Sequence, residues 1–357
     1  MEKPEDLGEA RNLESLNLKG CMRLEQIHPS IGRLRKLSEV YLGSCCSLTY
    51  LPHFGEAISL EILDLSRCDE LRFIDPSIGL LTNLIELSLK NSEIPDAIGN
   101  LCSLERLDLS GNSFATLPSL TKLSKLYHLD LQQCKHMKYL PQLPSSIGFK
   151  PSNGLFRSYD VGLFVFNCPK LVEREVSTTI GFPWRQQLTQ AFHEEKSITI
   201  GSVIPGSTLP EVFNNQYDWT GNYVSKSIDT SPVMHDERWI GAELCVIFTV
   251  PCYIRIPVGF YGNRQLVSDG SDHMWLSFQP RDRILDGLNL KCYIVLGEGP
   301  GVHVEVKTYG YRWVYKDDPT CKRKHLAIEQ SEGSTLEKRG KDAAYSSQEN
   351  TINWLQN

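Results

Sequence analysis

Leu13-Glu-Ser-Leu-Asn-Leu-Lys-Gly-Cys21 has the form L-x-x-L-x-L-x-x-C, and the same form returns along the first part of the chain. It reappears from Leu37 through Val40 and Leu42 to Cys45, and from Leu60 through Leu63 and Leu65 to Cys68. Leu104 through Leu109 to Asn112 and Leu126 through Leu131 to Cys134 keep the frame, while Leu84 through Leu89 carries Ser92 where Cys or Asn is expected. The starting leucines lie 24, 23, 24, 20 and 22 residues apart. That period is the signature of leucine-rich repeats, in which no unit can bury its own leucines and stacking creates the core. Each L-x-L stretch is expected to be a short strand with its leucines inward. The following Cys or Asn sits at the turn, where it can bond neighbouring backbone. Pro29-Ser-Ile-Gly-Arg-Leu and Pro76-Ser-Ile-Gly-Leu-Leu are expected to return along the convex side as short helical or irregular turns.

Alternation of side chains then assigns the concave face. Ser15, Glu39, Ile62, Glu86, Arg106 and His128 form one outward lane, and its mixed chemistry makes it the candidate for protein contact, with Tyr41 beside it. Arg106 and His128 are the expected anchors, since a planar cation and a half-apolar ring suit a concave interface. The recurring Asp64, Asp108 and Asp130 are read as framework residues bonding along the sheet. Residues 1–12 are too short to cap the first repeat, which is expected of a piece of a longer array or of an end covered by a partner.

The 357 residues exceed what one core usually organises, and the repeats stop near residue 145. Residues 146–195 are read as a linker with a short helix, in which Trp184, Leu188, Ala191 and Phe192 share one face. Runs over 198–204, 239–250, 253–261, 273–278, 290–296 and 302–315 are rich in Val, Ile, Phe, Tyr and Trp and bounded by Pro and Gly. They indicate an antiparallel β-sandwich over 196–325, followed by a polar tail, 326–357, expected to be mobile. The predicted class is an α/β-type leucine-rich-repeat solenoid followed by an all-β sandwich.

Eleven cysteines without a Cys-x-x-Cys pair argue against zinc and for free thiols in a reducing compartment. The polar start and the short apolar run near Leu244 provide neither a signal peptide nor a span of about 20 apolar residues, so no membrane partner is expected. A net charge of −6 gives no reason to expect sequence-specific nucleic acid binding. Catalytic signatures are weak. Gly297-Glu-Gly-Pro-Gly301 lacks the spacing of a dinucleotide loop, and no phosphate-cradling lysine loop or nucleophile elbow occurs. His235-Asp236 and Asp272-His273 lack an activated nucleophile and are read as loop or edge positions. Lys322-Arg-Lys-His325 is read as an exposed basic turn, with a nuclear signal as the alternative. No cofactor and no metal are expected.

Cys-type repeats followed by a β-sandwich resemble the C-terminal portion of plant intracellular immune receptors, specifically the Toll/interleukin-1-receptor, nucleotide-binding, leucine-rich-repeat class. Val203-Ile-Pro-Gly-Ser-Thr-Leu-Pro-Glu-Val-Phe-Asn-Asn-Gln216 resembles the opening motif of the post-repeat jelly-roll/Ig-like domain of that class. Trp239–Phe248, Asp272–Ser277 and Val306–Tyr315 are similar to its later strands. The resemblance covers roughly residues 10 to 320 and implies a non-enzymatic module that senses a pathogen effector or a guarded host protein, in the cytoplasm or nucleus. The remaining domains of a full-length receptor are a further expected partner. Residues matching NAD cleavage or nucleotide binding are absent from this sequence, which leaves a stand-alone adaptor or substrate-receptor subunit as the alternative. In the sandwich, Trp219, Asn222 and Tyr223 follow the Pro-Gly-Ser motif on an expected loop and form a second candidate contact, with local packing as the competing role.

Overall fold

The computed structural model describes residues 6–89, 94–145, 160–171, 181–192, 199–221, 224–226, 229–249, 270–285, 290–292 and 305–316. The expected linker stretch 146–159, the run 253–261, Gly297–Gly301, Lys322–His325 and the polar tail lie outside the described residues, as do Lys90 and Ser92. The chain divides into two compact units, one holding the repeats with Gly162–Val172 and the other holding Glu173 onward.

In the repeat unit, strands β1 (Ser15–Asn17), β2 (Glu39–Tyr41), β3 (Ile62–Leu65), β4 (Glu86–Leu89), β5 (Arg106–Asp108) and β6 (His128–Asp130) pair in parallel, each with the next. The motif leucines of the second to sixth repeats are 0–2% exposed. Burying each is worth about 1.5–3 kcal/mol, and the gain exists only because a neighbouring repeat lies against it. Three 3₁₀ turns, Pro29–Arg33, Pro76–Leu80 and Asp96–Asn100, return the chain. Pro opens the first two, where its missing N–H costs nothing, and a side chain caps each: His28 Nδ1 accepts from Ser30 N–H and Asp75 Oδ1 from Ser77 N–H. The glycine in Pro-Ser-Ile-Gly is sterically required, because a Cβ on Gly32 would lie 1.9 Å from the His53 carbonyl oxygen of the next repeat.

The parallel sheet extends past the six repeats expected. Strand β7 (Asp160–Phe164) pairs with β6, Leu163 lying beside Leu129 and Phe164 beside Asp130. Leu163-Phe-Val-Phe-Asn-Cys168 carries the L-x-V-x-x-C half of the motif. An aspartate, Asp160, replaces its first leucine and a long insertion precedes it, so periodicity did not reach it.

The second unit is built on an antiparallel sheet. Its strands are β8 (Thr199–Pro205), β9 (Asn215–Gly221), β11 (Trp239–Thr249), β12 (Asp272–Pro280) and β14 (Glu305–Tyr315), in the order β8-β12-β11-β14-β9. A separate antiparallel pair joins β10 (Val224–Lys226) to β13 (Leu290–Cys292). β11 is buried along both faces, which explains its uninterrupted apolar reading. Helix α1 (Gly181–Phe192), expected within a linker, belongs to this unit: Trp184, Leu188 and Phe192 are at most 1% exposed, and Arg185 pairs with Glu243 of β11. A spacing of four places those three side chains on one face, so the helix has a core to bury them in. A short helix α2 (Arg281–Leu285) begins with Arg281, which stacks over Trp239 and donates to the Met234 and Asp236 carbonyls. The Asp272-His273 pair, expected at a loop or edge, lies in β12, an inner strand. His273 is 1% exposed there, with Nδ1 facing the Ser271 carbonyl, and Asp272 is held by Lys307 and Thr249.

Candidate site on the inner face of the repeats

Two devices hold the strands so that the concave side chains stand in rows. The residue before each motif Cys or Asn has positive φ: Gly20, Ser44, Arg67, Gly111, Gln133 and Asn167 lie between 56° and 79°. After four of the strands, the backbone N–H two residues past the last polar side chain returns to it. Asn17, Asp64, Asp108 and Asp130 accept from Lys19, Ser66, Ser110 and Gln132 at 2.9–3.1 Å. The aspartates therefore serve as local turn makers. Bonding along the sheet, the expected role, is also present: Ser88 Oγ donates to Asp108 Oδ2 at 3.4 Å, and Lys19 Nζ lies 3.8 Å from Asp64 Oδ2.

The motif Cys or Asn reaches back one repeat. Cys45, Cys68, Cys134 and Cys168 donate from Sγ to the carbonyls of Leu18, Leu42, Leu109 and Leu131 at 3.1–3.3 Å. Asn112 Nδ2 donates to Leu89 O at 2.9 Å and to Leu109 O at 2.7 Å. Burial pushes the Cys68 thiol up to about 12 and raises Cys45 and Cys134 as well, so these sulfurs stay protonated donors rather than nucleophiles.

The predicted lane is a continuous register: Ser15 beside Glu39, Glu39 beside Ile62, Ile62 beside Glu86, Glu86 beside Arg106, and Arg106 beside His128. Tyr41 stands in the parallel row between Asn17 and Asp64. Ser15 is exposed, and Glu39, Tyr41, Ile62, Glu86 and Arg106 are half-buried. Ser15 Oγ donates to Glu39 at 3.3 Å, and Arg106 Nε lies 3.9 Å from Glu86 Oε1.

One expected anchor is corrected. His128 is 8% exposed, with its ring 5.1 Å from that of Phe164, because β7 places an aromatic side chain over it. Arg106 is engaged by Glu86 and by the Tyr127 hydroxyl. Glu105 and Tyr127, one position before the lane, were missed by the alternation rule. Burial lifts the Glu105 carboxyl to about 7, opposed by Lys125, the Tyr127 hydroxyl and Arg106 and reinforced by Glu86. In the second unit Trp219 lies within β9 rather than on a loop, edge-on to Tyr309 at 5.7 Å; Asn222 and Tyr223 lie outside the described residues. A recess of about 240 Å³ in the same unit is lined by Val212, Asn214, Asn215, Arg312, Trp313 and Tyr315. Among the described residues there is no group of three His, Cys, Asp or Glu side chains suited to a metal ion, and no helix is long and apolar enough to cross a membrane.

The Leucine Rich Repeat family model matches residues 103–123, the fifth repeat of this array. Disease resistance protein RPS4B of Arabidopsis thaliana is 23% identical over 270 residues, 70% of this chain and 21% of that protein. The relatives are plant disease resistance proteins. TMV resistance protein N of Nicotiana glutinosa is 43% identical over 61 residues, 17% of this chain and 5% of that resistance protein. Disease resistance-like protein DSC1 of Arabidopsis thaliana is 32% identical over 179 residues, 41% of this chain and 14% of that one. The chain thus spans about a fifth or less of the length of these disease resistance proteins. Among solved structures, the leucine-rich repeat domain of the type III effector XopL is 20% identical, covering 48% of this chain and 58% of that one with a TM-score of 0.28. The functional domain of InlJ from Listeria monocytogenes is 17% identical, covering 49% and 48%, with a TM-score of 0.27.

Proposed function

We propose that this chain is the non-enzymatic recognition part of a plant immune receptor, acting in the cytoplasm or nucleus, and that the inner face of its repeats binds a pathogen effector or an effector-modified host protein. The observation carrying this reading is the unbroken register from Ser15 to Arg106, a ready-made row of side chains about 4.8 Å apart that the fold does not need for its own core. Ile62 is the apolar centre of that row, flanked by Glu39 and Glu86 with Tyr41 in the adjoining row, and an apolar anchor ringed by polar groups is the usual form of a hot spot. With His128 covered by Phe164, the contact centre moves to Tyr41 and Ile62. The second unit acts as the post-repeat jelly-roll/Ig-like domain of the same class. The antiparallel sheet supports this, as does the alignment to RPS4B over 70% of the chain, more than the repeats occupy.

The test is a binding screen of the full chain against secreted pathogen proteins, repeated with Ile62→Lys and with Leu80→Lys, an exposed position of a returning 3₁₀ turn. Loss of a partner only with Ile62→Lys supports the inner face, whereas equal binding by both variants removes it. A stand-alone adaptor is the second reading. Recovery of ubiquitin-ligase subunits with the chain, and failure to associate with receptor nucleotide-binding domains, would favour it.

A further inference from the structure

Leu7-Gly-Glu-Ala10, with Leu13 three residues on, has the same form as Phe54-Gly-Glu-Ala57 with Leu60 three residues on. The bonding repeats with the sequence. Ala10 N–H donates to Leu7 O and Leu13 N–H to Ala10 O, both at 2.9 Å, as Ala57 donates to Phe54 O and Leu60 to Ala57 O at 2.9 and 3.1 Å. Leu7 N–H donates to Ser30 Oγ of the following repeat at 2.8 Å, as Phe54 N–H donates to Ser77 Oγ at 3.3 Å. Around Phe54 this segment is the return path that closes one repeat and delivers the chain to the next strand. Residues 7–12 are therefore built as the closing part of a repeat rather than as a polar cap.

The strand they lead into ends the sheet: among the described strands, β1 pairs with β2 alone. Leu13, Leu16, Leu18 and Leu24 are half-buried, whereas their counterparts one repeat on, Leu37, Val40, Leu42 and Leu48, are 0% exposed. In the later repeats the second and third motif residues donate their N–H groups to one carbonyl of the repeat before. Ser38 and Glu39 do so to Glu14 O at 2.8 and 3.1 Å, and Glu61 and Ile62 to Ser38 O at 2.8 and 3.0 Å. Glu14 and Ser15 hold those two positions in the first repeat, and both are exposed. Cys21 holds the place of the ladder thiol. Cys45 and Cys68 reach back to the Leu18 and Leu42 carbonyls and are buried, whereas Cys21 is exposed. Apolar side chains, a pair of amides and a thiol thus present one half of an interface whose completed form is seen between the later repeats.

That completed form sets what fits. The strands β1 to β6 all pair in parallel, so the occupant supplies a parallel strand with inward apolar residues. It also supplies a carbonyl at the second motif position for Glu14 and Ser15 and one at the sixth for Cys21. A second copy of this chain, joined edge to edge about a twofold axis, would meet β1 antiparallel and lack that register. We propose that the outer edge of β1 is an interface for a further leucine-rich repeat, joined to the return segment at Leu7 and stacked in parallel on β1. The inner-face row then continues past Ser15.

The experiment supplies such a repeat as the probe. A full chain in which a copy of Leu37–Leu51 replaces residues 1–4 places the first leucine of the graft 23 residues before Leu13, the spacing that separates Leu37 from Leu60. Alkylation of Cys21 by N-ethylmaleimide is followed by peptide mapping, with the exposed Cys102 as internal standard. The grafted chain should alkylate Cys21 about tenfold or more slowly than the parent chain, with Cys102 unchanged, and the amides of residues 14–18 should exchange more slowly by about the same factor. A graft of the same composition in scrambled order, without the leucine spacing, should leave Cys21 as reactive as in the parent. Unchanged alkylation of Cys21 in the grafted chain, or equal protection by the scrambled graft, would overturn the proposal. So would a parent chain that sediments as a dimer with Cys21 already protected, since the edge would then belong to a second copy.

Discussion

Asn112 is the one position of the described cysteine ladder where an amide replaces the thiol, and this makes the ladder's strength measurable. Its Nδ2 donates to Leu89 O at 2.9 Å and Leu109 O at 2.7 Å, and the residue is 2% exposed. Asn112→Ala removes both donors and leaves two carbonyls without them. At about 1 kcal/mol per net hydrogen bond, rising to about 1–3 kcal/mol where the acceptor stays dry, the loss should be roughly 2–4 kcal/mol. Asn112→Cys installs the residue used at positions 45, 68, 134 and 168, whose thiol makes one long bond to the preceding repeat. A thiol is a weak donor, so this variant should fall between wild type and Asn112→Ala, about 1–2 kcal/mol below wild type. Since the tryptophans lie outside the repeats, the assay is hydrogen exchange by mass spectrometry across residues 84–134 under EX2 conditions, with tryptophan fluorescence as an internal control. The ladder argument fails if Asn112→Ala lies within about 0.5 kcal/mol of wild type, or if Asn112→Cys is the worse of the two.

Glu105, lifted by burial from 4.5 to about 7, binds its proton more tightly folded than unfolded, so its contribution to stability is present below about pH 4.5 and disappears as pH rises through 7. A midpoint-versus-pH series over that window should show the decline in wild type and a flatter line in Glu105→Gln. Arg67 holds φ at 59° without being glycine, so Arg67→Gly should relieve left-handed strain and raise stability by about 0.5–1 kcal/mol, read by urea unfolding. Gly32→Ala pushes a methyl into the His53 carbonyl and should cost about 1–3 kcal/mol, visible as faster exchange across the first two repeats.

How far the sequence could be read depended on whether the governing interaction was local. The parallel strands β1–β6, their register and the concave row from Ser15 to His128 follow from a repeating pattern, because each repeat meets its neighbours in the same way every time. β7 broke the pattern at Asp160 and escaped. So did its consequence, the covering of His128 by Phe164, which joins residues far apart in the chain. Asp64, Asp108 and Asp130 were visible as a recurring feature, but their role depended on backbone geometry: the chain bends after each of them so that the N–H two residues on returns to the carboxylate.

In the second half the apolar runs announced strands β8, β11, β12 and β14 and the buried face of α1. Alternation says that a side chain faces inward and is silent about what it meets there. Glu243 and Arg185 are charged residues in a strand and a helix until three separated elements bring them together with Arg312. The sequence by itself determined the stacked repeats, since their hydrophobic period admits no other way to bury the leucines. Only the tertiary structure decided which lane residues remain available to a partner and which charges are sealed inside, because both depend on contacts between elements distant along the chain.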